Sequence, residues 1–244
     1  MKAAQEELYE DTFATIDGEM LASENSWPES YGESEDEAVD SWRYQYVKRA
    51  IDISCAFMMI VAAAIPGLLI ACAIVLTSKG PVFYREERIG RFGRPFRIWK
   101  FRSMRVNSER RLSIVDVRSR EVVLERRMQK RVSDPRITAI GGFLRKWSLD
   151  ELPQIFNILR GEMSLIGPRP IVVSETPLYG GWLAYYLAVT PGLSGLWQVS
   201  GRSLVDYEDR AKLDASYVKS WSLTKDLNIL LRTIPAVLQR VGAY

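Results

Sequence analysis

The residues best suited to chemistry lie in the segment RKWSLDELPQIFNILRGEMSLIGPRP, residues 145–170. Asp150 and Glu151 are adjacent carboxylates, and Ser148 with Glu151 matches the S-x-x-E capping box, which predicts a helix starting here with both acids in its first turn. Two readings follow. In one, the acids only cap the helix and complement its dipole. In the other they are an active site, in which an aspartate at a helix start is a nucleophile and its neighbour shares a divalent metal with it or takes a proton. The chain has no histidine, and Cys55 and Cys72 sit inside an apolar run that predicts burial. Ser-His and Cys-His pairs, His-ligated metals and thiolate metal sites are therefore excluded, and chemistry must run on carboxylates, amines or hydroxyls.

Arginines of the kind that clamp phosphate surround the pair. Arg145 precedes Asp150 by five residues, and Arg169 is held between Pro168 and Pro170, which stiffen the loop presenting it. Arg136 in SDPRIT and Arg202 in WQVSGR are two more. Each alone could be a surface ion-pair partner; together they point to a pyrophosphate. Neither G-x-G-x-x-G nor G-x-x-x-x-G-K-[ST] occurs, so a Rossmann or P-loop nucleotide site is not supported.

The elements that must position these groups start with a membrane segment. Residues 53–76 carry no charge, and as a helix they would extend about 36 Å against a hydrocarbon core of about 30 Å. Cationic residues flank both ends: Arg43, Lys48 and Arg49 before, and nine Lys or Arg between Lys79 and Arg105 after. Both ends thus prefer the cytoplasmic face. Pro66, near the middle, removes a backbone donor and bends the helix. A broken helix that enters and leaves on one face fits both observations; a single span with the second flank inside also does. PVFYREERI and RPFRIWKFRSM, separated by GRFG, read as a β-hairpin with a cationic surface. That surface suits anionic headgroups or a phosphorylated substrate, and no motif supports nucleic acid. The segments 182–189 and 222–238 read either as helices lying in the membrane interface or as core helices.

Charge divides the chain near Ser41. Residues 1–41 hold 13 acidic side chains against Lys2 alone, with few aliphatics, which predicts a disordered acidic tail without the pattern of a secretory signal. The strongly charged stretch 105–133 reads as a surface helix or loop. The organisation expected is an acidic tail over 1–41, a membrane helix over 42–78 and a catalytic part over 79–244.

The order of KRAID, the apolar run with its central proline, GPVFYREERIGRFGRPFRIWKFRSM, SDPRIT, RKWSLDELPQIFNILRGEMSLIGPRP, TPGLSGLWQVSGR and LDASYVKSWSLTKDL resembles the bacterial sugar transferases, the monotopic phosphoglycosyl transferases, over residues 47–240. The resemblance implies a mostly α fold with a short β-hairpin, one re-entrant Pro-broken helix and interfacial amphipathic helices, in the minimal catalytic form. It implies Mg²⁺-dependent transfer of a hexose 1-phosphate from a UDP-sugar to undecaprenyl phosphate, with release of UMP, at the cytoplasmic face of the bacterial inner membrane among anionic lipids. It also allows a homodimer. Asp150 would be the nucleophile that forms a phosphosugar–aspartyl intermediate, and Glu151 would help hold the metal and deprotonate the lipid phosphate. Arg145 and Arg169 would bind phosphate oxygens, with Lys100, Gln198 and Arg202 lining the site. Ile65 stands where many relatives place a serine before the breaking proline, which leaves the stabilisation of the kink open. A plain hexose, galactose ahead of glucose, is the expected sugar. The competing classes are a non-catalytic membrane adaptor and a metal-dependent glycosyltransferase; the latter lacks a D-x-D, since DYED at 206–209 reads as a helix start.

Overall fold

The computed structural model describes Val39 and residues 41–105, 136–201 and 206–238. The expected acidic tail, apart from Val39 and Ser41, and the charged stretch 106–133 lie outside the described residues. Val39 itself, placed in the tail by composition, is buried in the main core.

A π-helical turn over Arg43–Lys48 leads directly into α1, Arg49–Thr77. Helix α1 contains Pro66 and continues beyond it to Thr77, so the proline does not end the helix. It costs the ladder one donor, opposite the carbonyl of Ala62, while the bonds on either side persist. Phe57, Met58, Val61, Ile65, Leu68 and Leu69 on α1 are exposed. Cys72 is exposed and Cys55, packed against the main core, is only half-buried, against the expectation of two buried thiols.

The other side of α1 is fastened to the rest of the protein at both ends. Near its start, Arg49 donates to the carbonyls of Ile158 and Leu159 at 2.5 and 2.9 Å, and the Leu165 N–H donates to Asp52 at 3.0 Å. Lys48, almost fully buried, donates to Asp226 at 2.6 Å and to the Ile166 carbonyl at 2.9 Å. Near its end, Arg102 donates to the Ser78 carbonyl at 2.7 Å and to its hydroxyl at 2.8 Å, while Ile74 is buried with Phe101 and Leu144.

The expected hairpin is present. β1, Phe83–Ile89, pairs antiparallel with β2, Pro95–Phe101, with Phe83 opposite Phe101, Tyr84 opposite Lys100 and Ile89 opposite Pro95. Side chains alternate across it. Phe101 turns toward α1, and Lys100 and Arg88 turn the other way, toward the carboxylates. Then follow α2, Ala139–Lys146, a 3-10 segment over Leu149–Gln154, and α3, Ile155–Arg160. β3, Ser164–Ile166, pairs in parallel with β4, Gly192–Ser194. Between them lies α4, Leu183–Ala188, and after them α5, Leu196–Val199, α6, Tyr207–Lys219, and α7, Leu223–Leu238.

The two segments read as either interfacial or core helices differ. In α4, Leu183, Ala184, Tyr186 and Leu187 are buried, so 182–189 is core: its apolar residues pack against Ile89, Ile171 and Ala211. In α7, Leu227, Leu230, Leu231, Ile234 and Leu238 recur at helical spacing and all stay exposed. The DYED segment starts α6 as expected, with Asp206 accepting from the Asp209 N–H at 2.8 Å.

Candidate active site

Asp150 and Glu151 lie in the 3-10 segment, but the capping box does not form. Ser148 takes the left-handed conformation, with φ at 56°, and its side chain makes no capping bond; the turn closes instead from the Glu151 N–H to the Ser148 carbonyl at 3.3 Å. A left-handed non-glycine residue carries strain that surrounding structure must hold. Here the sharp reversal after α2 turns both carboxylates away from cap duty.

Strand β2 holds this turn in place. Asn157, fully buried on α3, accepts from the Trp99 N–H at 3.0 Å and donates to the Arg97 carbonyl at 2.8 Å. The side chain thereby completes the free edge of β2 and fixes the segment just before it. Lys100 then reaches across to donate to Glu151 at 3.1 Å. Just beyond β2, Ser103 anchors α2: its carbonyl accepts from the Thr138 N–H at 3.1 Å, and its hydroxyl accepts from Arg145 Nε at 2.9 Å. Helix α2 can come this close only because residue 141 is glycine; a Cβ there would lie 2.0 Å from the Ser103 oxygen. Arg145, one turn on from Gly141, lies on the same face.

The loop 167–170 brings Arg169 to the pair. It runs against β4 and the start of α5, where a Cβ on Gly195 would stand 2.2 Å from the Gly167 carbonyl oxygen and 2.7 Å from Gln198 Oε1. Gln198 is thus beside the loop that carries Arg169. The Arg169 guanidinium lies 5.9 Å from the Trp197 ring.

These charges split the two acids. Burial pushes the Asp150 carboxyl above its ordinary range and the neighbouring Glu151 charge pushes it further, against the pull of Lys100 and Arg145. Burial also works on Glu151, but Lys100, Arg169 and Arg88 outweigh it and hold that carboxyl below its ordinary range. Glu151 is therefore the firmly ionised, lysine-bound member. Asp150, which accepts from no side chain among the described residues, is the more basic. A carboxylate with the higher proton affinity and no side-chain donor on its lone pairs is the better nucleophile.

Of the residues expected at the site, the structure brings Asp150, Glu151, Lys100, Arg145 and Arg169 near one another. Arg136 is set differently: its carbonyl accepts from the Arg105 N–H at 2.9 Å, past the end of β2, and the strongest charge effects on the carboxylates come from the other cations. Arg202 lies outside the described residues. Three residues were missed. Arg88 and Asn157 had no signal beyond membership of a basic strand and of a helix; Arg210, on α6, had none at all.

Among the described residues no third Asp, Glu, His or Cys joins the pair. Two carboxylates suit a hard divalent cation that keeps waters and completes its shell with phosphate oxygens, as magnesium does. They do not suit a zinc site.

The model of the bacterial sugar transferase family matches residues 43–240. The chain belongs to that family. This bacterial sugar transferase is 45% identical over 203 residues to the undecaprenyl-phosphate galactose phosphotransferase of Salmonella typhimurium, covering 82% of this chain and 42% of that protein. It is 48% identical over 202 residues to the UDP-galactose-lipid carrier transferase of Erwinia amylovora, again 82% of this chain and 42% of the relative. With the exopolysaccharide production protein ExoY of Sinorhizobium fredii it shares 44% identity over 199 residues, 81% of this chain and 88% of that one. The chain thus spans less than half the length of the first two relatives and most of the third.

Proposed function

We propose that this sugar transferase moves a hexose 1-phosphate from a UDP-sugar to undecaprenyl phosphate, releasing UMP, as the first membrane step of exopolysaccharide synthesis. The observation that carries the proposal is the division between the two acids: Glu151 tied to Lys100 with Arg169 acting on it, Asp150 free of side-chain donors and more basic with Arg145 acting on it. In the first step an Asp150 oxygen attacks the sugar-bearing phosphorus, the phosphoanhydride bond breaks, and UMP leaves with its electron pair. In the second, an oxygen of the lipid phosphate attacks the same phosphorus, and the Asp150 carboxylate is expelled. Lys100, Arg145 and Arg169 are donors placed to hold the phosphate oxygens as charge moves between them. Magnesium, bound at Asp150 and Glu151, would neutralise phosphate charge. Glu151, ionised when the lipid phosphate arrives, would take the proton of a singly ionised lipid phosphate and release it to solvent after the transfer.

The same reading puts α1 into the membrane as a re-entrant element. Its apolar outer side supports insertion, and its bonds to the body at both Arg49 and Ser78 support an entry and exit on one face. A helix crossing about 30 Å of hydrocarbon would carry one of those partners into or through the lipid. The exposed leucines of α7 would rest in the same interface, on the cytoplasmic side, among anionic headgroups.

Purified protein given UDP-sugar and undecaprenyl phosphate tests the reaction. UMP is the expected product; UDP would mean glycosyl transfer, and neither nucleotide would mean a non-catalytic adaptor. Asp150→Asn should abolish UMP release even without lipid and should carry no sugar-phosphate adduct by intact mass; near-normal turnover would sink the mechanism. With four donors side by side, UDP-galactose should lead UDP-glucose, and both should exceed the N-acetylated pair, since a site built on hydroxyl contacts discriminates by their loss.

A further inference from the structure

Arg169 is carried by a loop, and two arginines, Arg88 mostly covered and Arg210 buried, grip the backbone of that loop. Arg88, on β1, donates to the Pro170 carbonyl at 3.3 Å, and its other terminal nitrogen is paired with Glu86. Arg210, on α6, approaches the carbonyl of Arg169 itself at 3.5 Å. The Arg210 guanidinium also lies 4.8 Å from the Trp197 ring, so Arg169 and Arg210 both bear on that indole. Arg210 is almost fully buried, flanked by the rings of Tyr179 and Tyr207 and 3.9 Å from Asp214, which accepts from the Tyr179 hydroxyl at 2.8 Å.

A buried guanidinium is costly to desolvate, and one that neither touches the carboxylate pair nor sits at the surface needs an account. Its planar fork reaches the Arg169 carbonyl while lying beside a carboxylate and against ring faces, a geometry that a compact ammonium does not match. Two such forks on consecutive carbonyls, approached from β1 and from α6, leave the peptide of Arg169 little freedom to rotate. Resting on the proposed reading that Arg169 binds donor phosphate, we propose that Arg88 and Arg210 are positioning residues that aim Arg169 at the diphosphate of the nucleotide-sugar.

Action through Arg169 has a signature that a merely structural role lacks. In the wild-type background, Arg210→Lys and Arg88→Lys, which keep charge but lose the fork, should each raise the KM for UDP-sugar about tenfold with a smaller effect on kcat. In an Arg169→Met background the same replacements should change KM less than about twofold, since nothing remains to be aimed. Additive losses in the two backgrounds would overturn the proposal, as would full retention of KM in both lysine variants. Thermal unfolding checks that each variant is folded. Should Arg210→Lys fail to fold, the Arg88→Lys cycle alone decides. Equilibrium binding of UDP to the same proteins separates the two levels: wild-type protein that neither binds UDP nor releases UMP overturns the proposed function, whereas intact wild-type binding with additive variants overturns only the positioning role.

Discussion

Replacing Lys100 with methionine removes the cation that holds Glu151 ionised while keeping much of the side chain's bulk. Its Nζ stands 3.1 Å from Glu151 Oε1, with the two side chains 17% and 29% exposed. At that separation Coulomb's law gives about 1.3 kcal/mol in bulk water and about 2.7 kcal/mol at half the dielectric constant of water, a range suited to a partly screened pair. At about 1.4 kcal/mol per unit, the Glu151 pKa should rise by about one to two units. Lys100 also lowers Asp150, so both acids shift the same way. The proposed mechanism needs both ionised, and removing a cation makes ionisation harder. The acid limb of kcat/KM for UMP release, which follows the more basic Asp150, should therefore move to higher pH in Lys100→Met and should stay near its wild-type position in Lys100→Arg. The lost phosphate contact would lower the plateau as well, but a plateau change cannot move the limb. Stability adds a second check with its own sign. A carboxyl held below its unfolded value contributes stability above that value, and the contribution fades as pH falls. The Glu151 part of the difference between wild type and Lys100→Met should thus be present at neutral pH and shrink below about pH 4. An acid limb that stays put in the methionine variant would refute the reasoning.

Lys48→Met should cost about 3–5 kcal/mol in denaturant unfolding, because it strands Asp226 among Tyr217 and Trp221 without its buried counter-charge; a loss under about 1 kcal/mol would mean solvent already screens the pair. Ser148→Ala should leave stability within about 0.5 kcal/mol, since the hydroxyl caps nothing; the loss of about 1 kcal/mol typical of a true cap would restore the capping box. Single cysteines at Arg43 and Lys79, both exposed positions flanking α1, in a background lacking Cys55 and Cys72, should resist an impermeant thiol reagent in intact cells and react after permeabilisation. Labelling of the Arg43 site alone in intact cells would establish a crossing helix.

The hairpin and the start of α6 were legible because their signals are local: alternation around GRFG, and an aspartate ahead of a helical stretch. The apolar length of α1 was equally plain, yet the continuation of helix through Pro66 was not, because one missing donor does not outweigh the ladder on either side. Ser148 misled for a related reason. S-x-x-E marks a cap only when the first residue is extended, and the left-handed turn here is imposed by what packs around it. The apolar stripe of 182–189 could not say whether protein or lipid covers it; only the arrival of Ile89 from β1, with Ile171 bridged to it, decides. Carboxylates and loop arginines showed in the sequence because they are adjacent or framed by prolines. Arg88 and Arg210 lie far along the chain from Arg169, and no spacing rule connects residues that meet only in three dimensions.

Strand β2 serves as a common datum for the candidate catalytic groups. Lys100 belongs to it, the segment after the carboxylates is measured from it through Asn157, and Arg145 is measured from its extension through Ser103. Parts located from one reference edge do not accumulate positional error, whereas parts located one from another do. A disturbance elsewhere in the fold that shifts this strand carries the acids and two of their cations along together and leaves their mutual distances intact. Arg169 is located from a different edge, between β1 and α6. The quantity that a distant perturbation can alter is then the offset between the two frames, and the gap between Arg169 and Glu151 is where such an error would register.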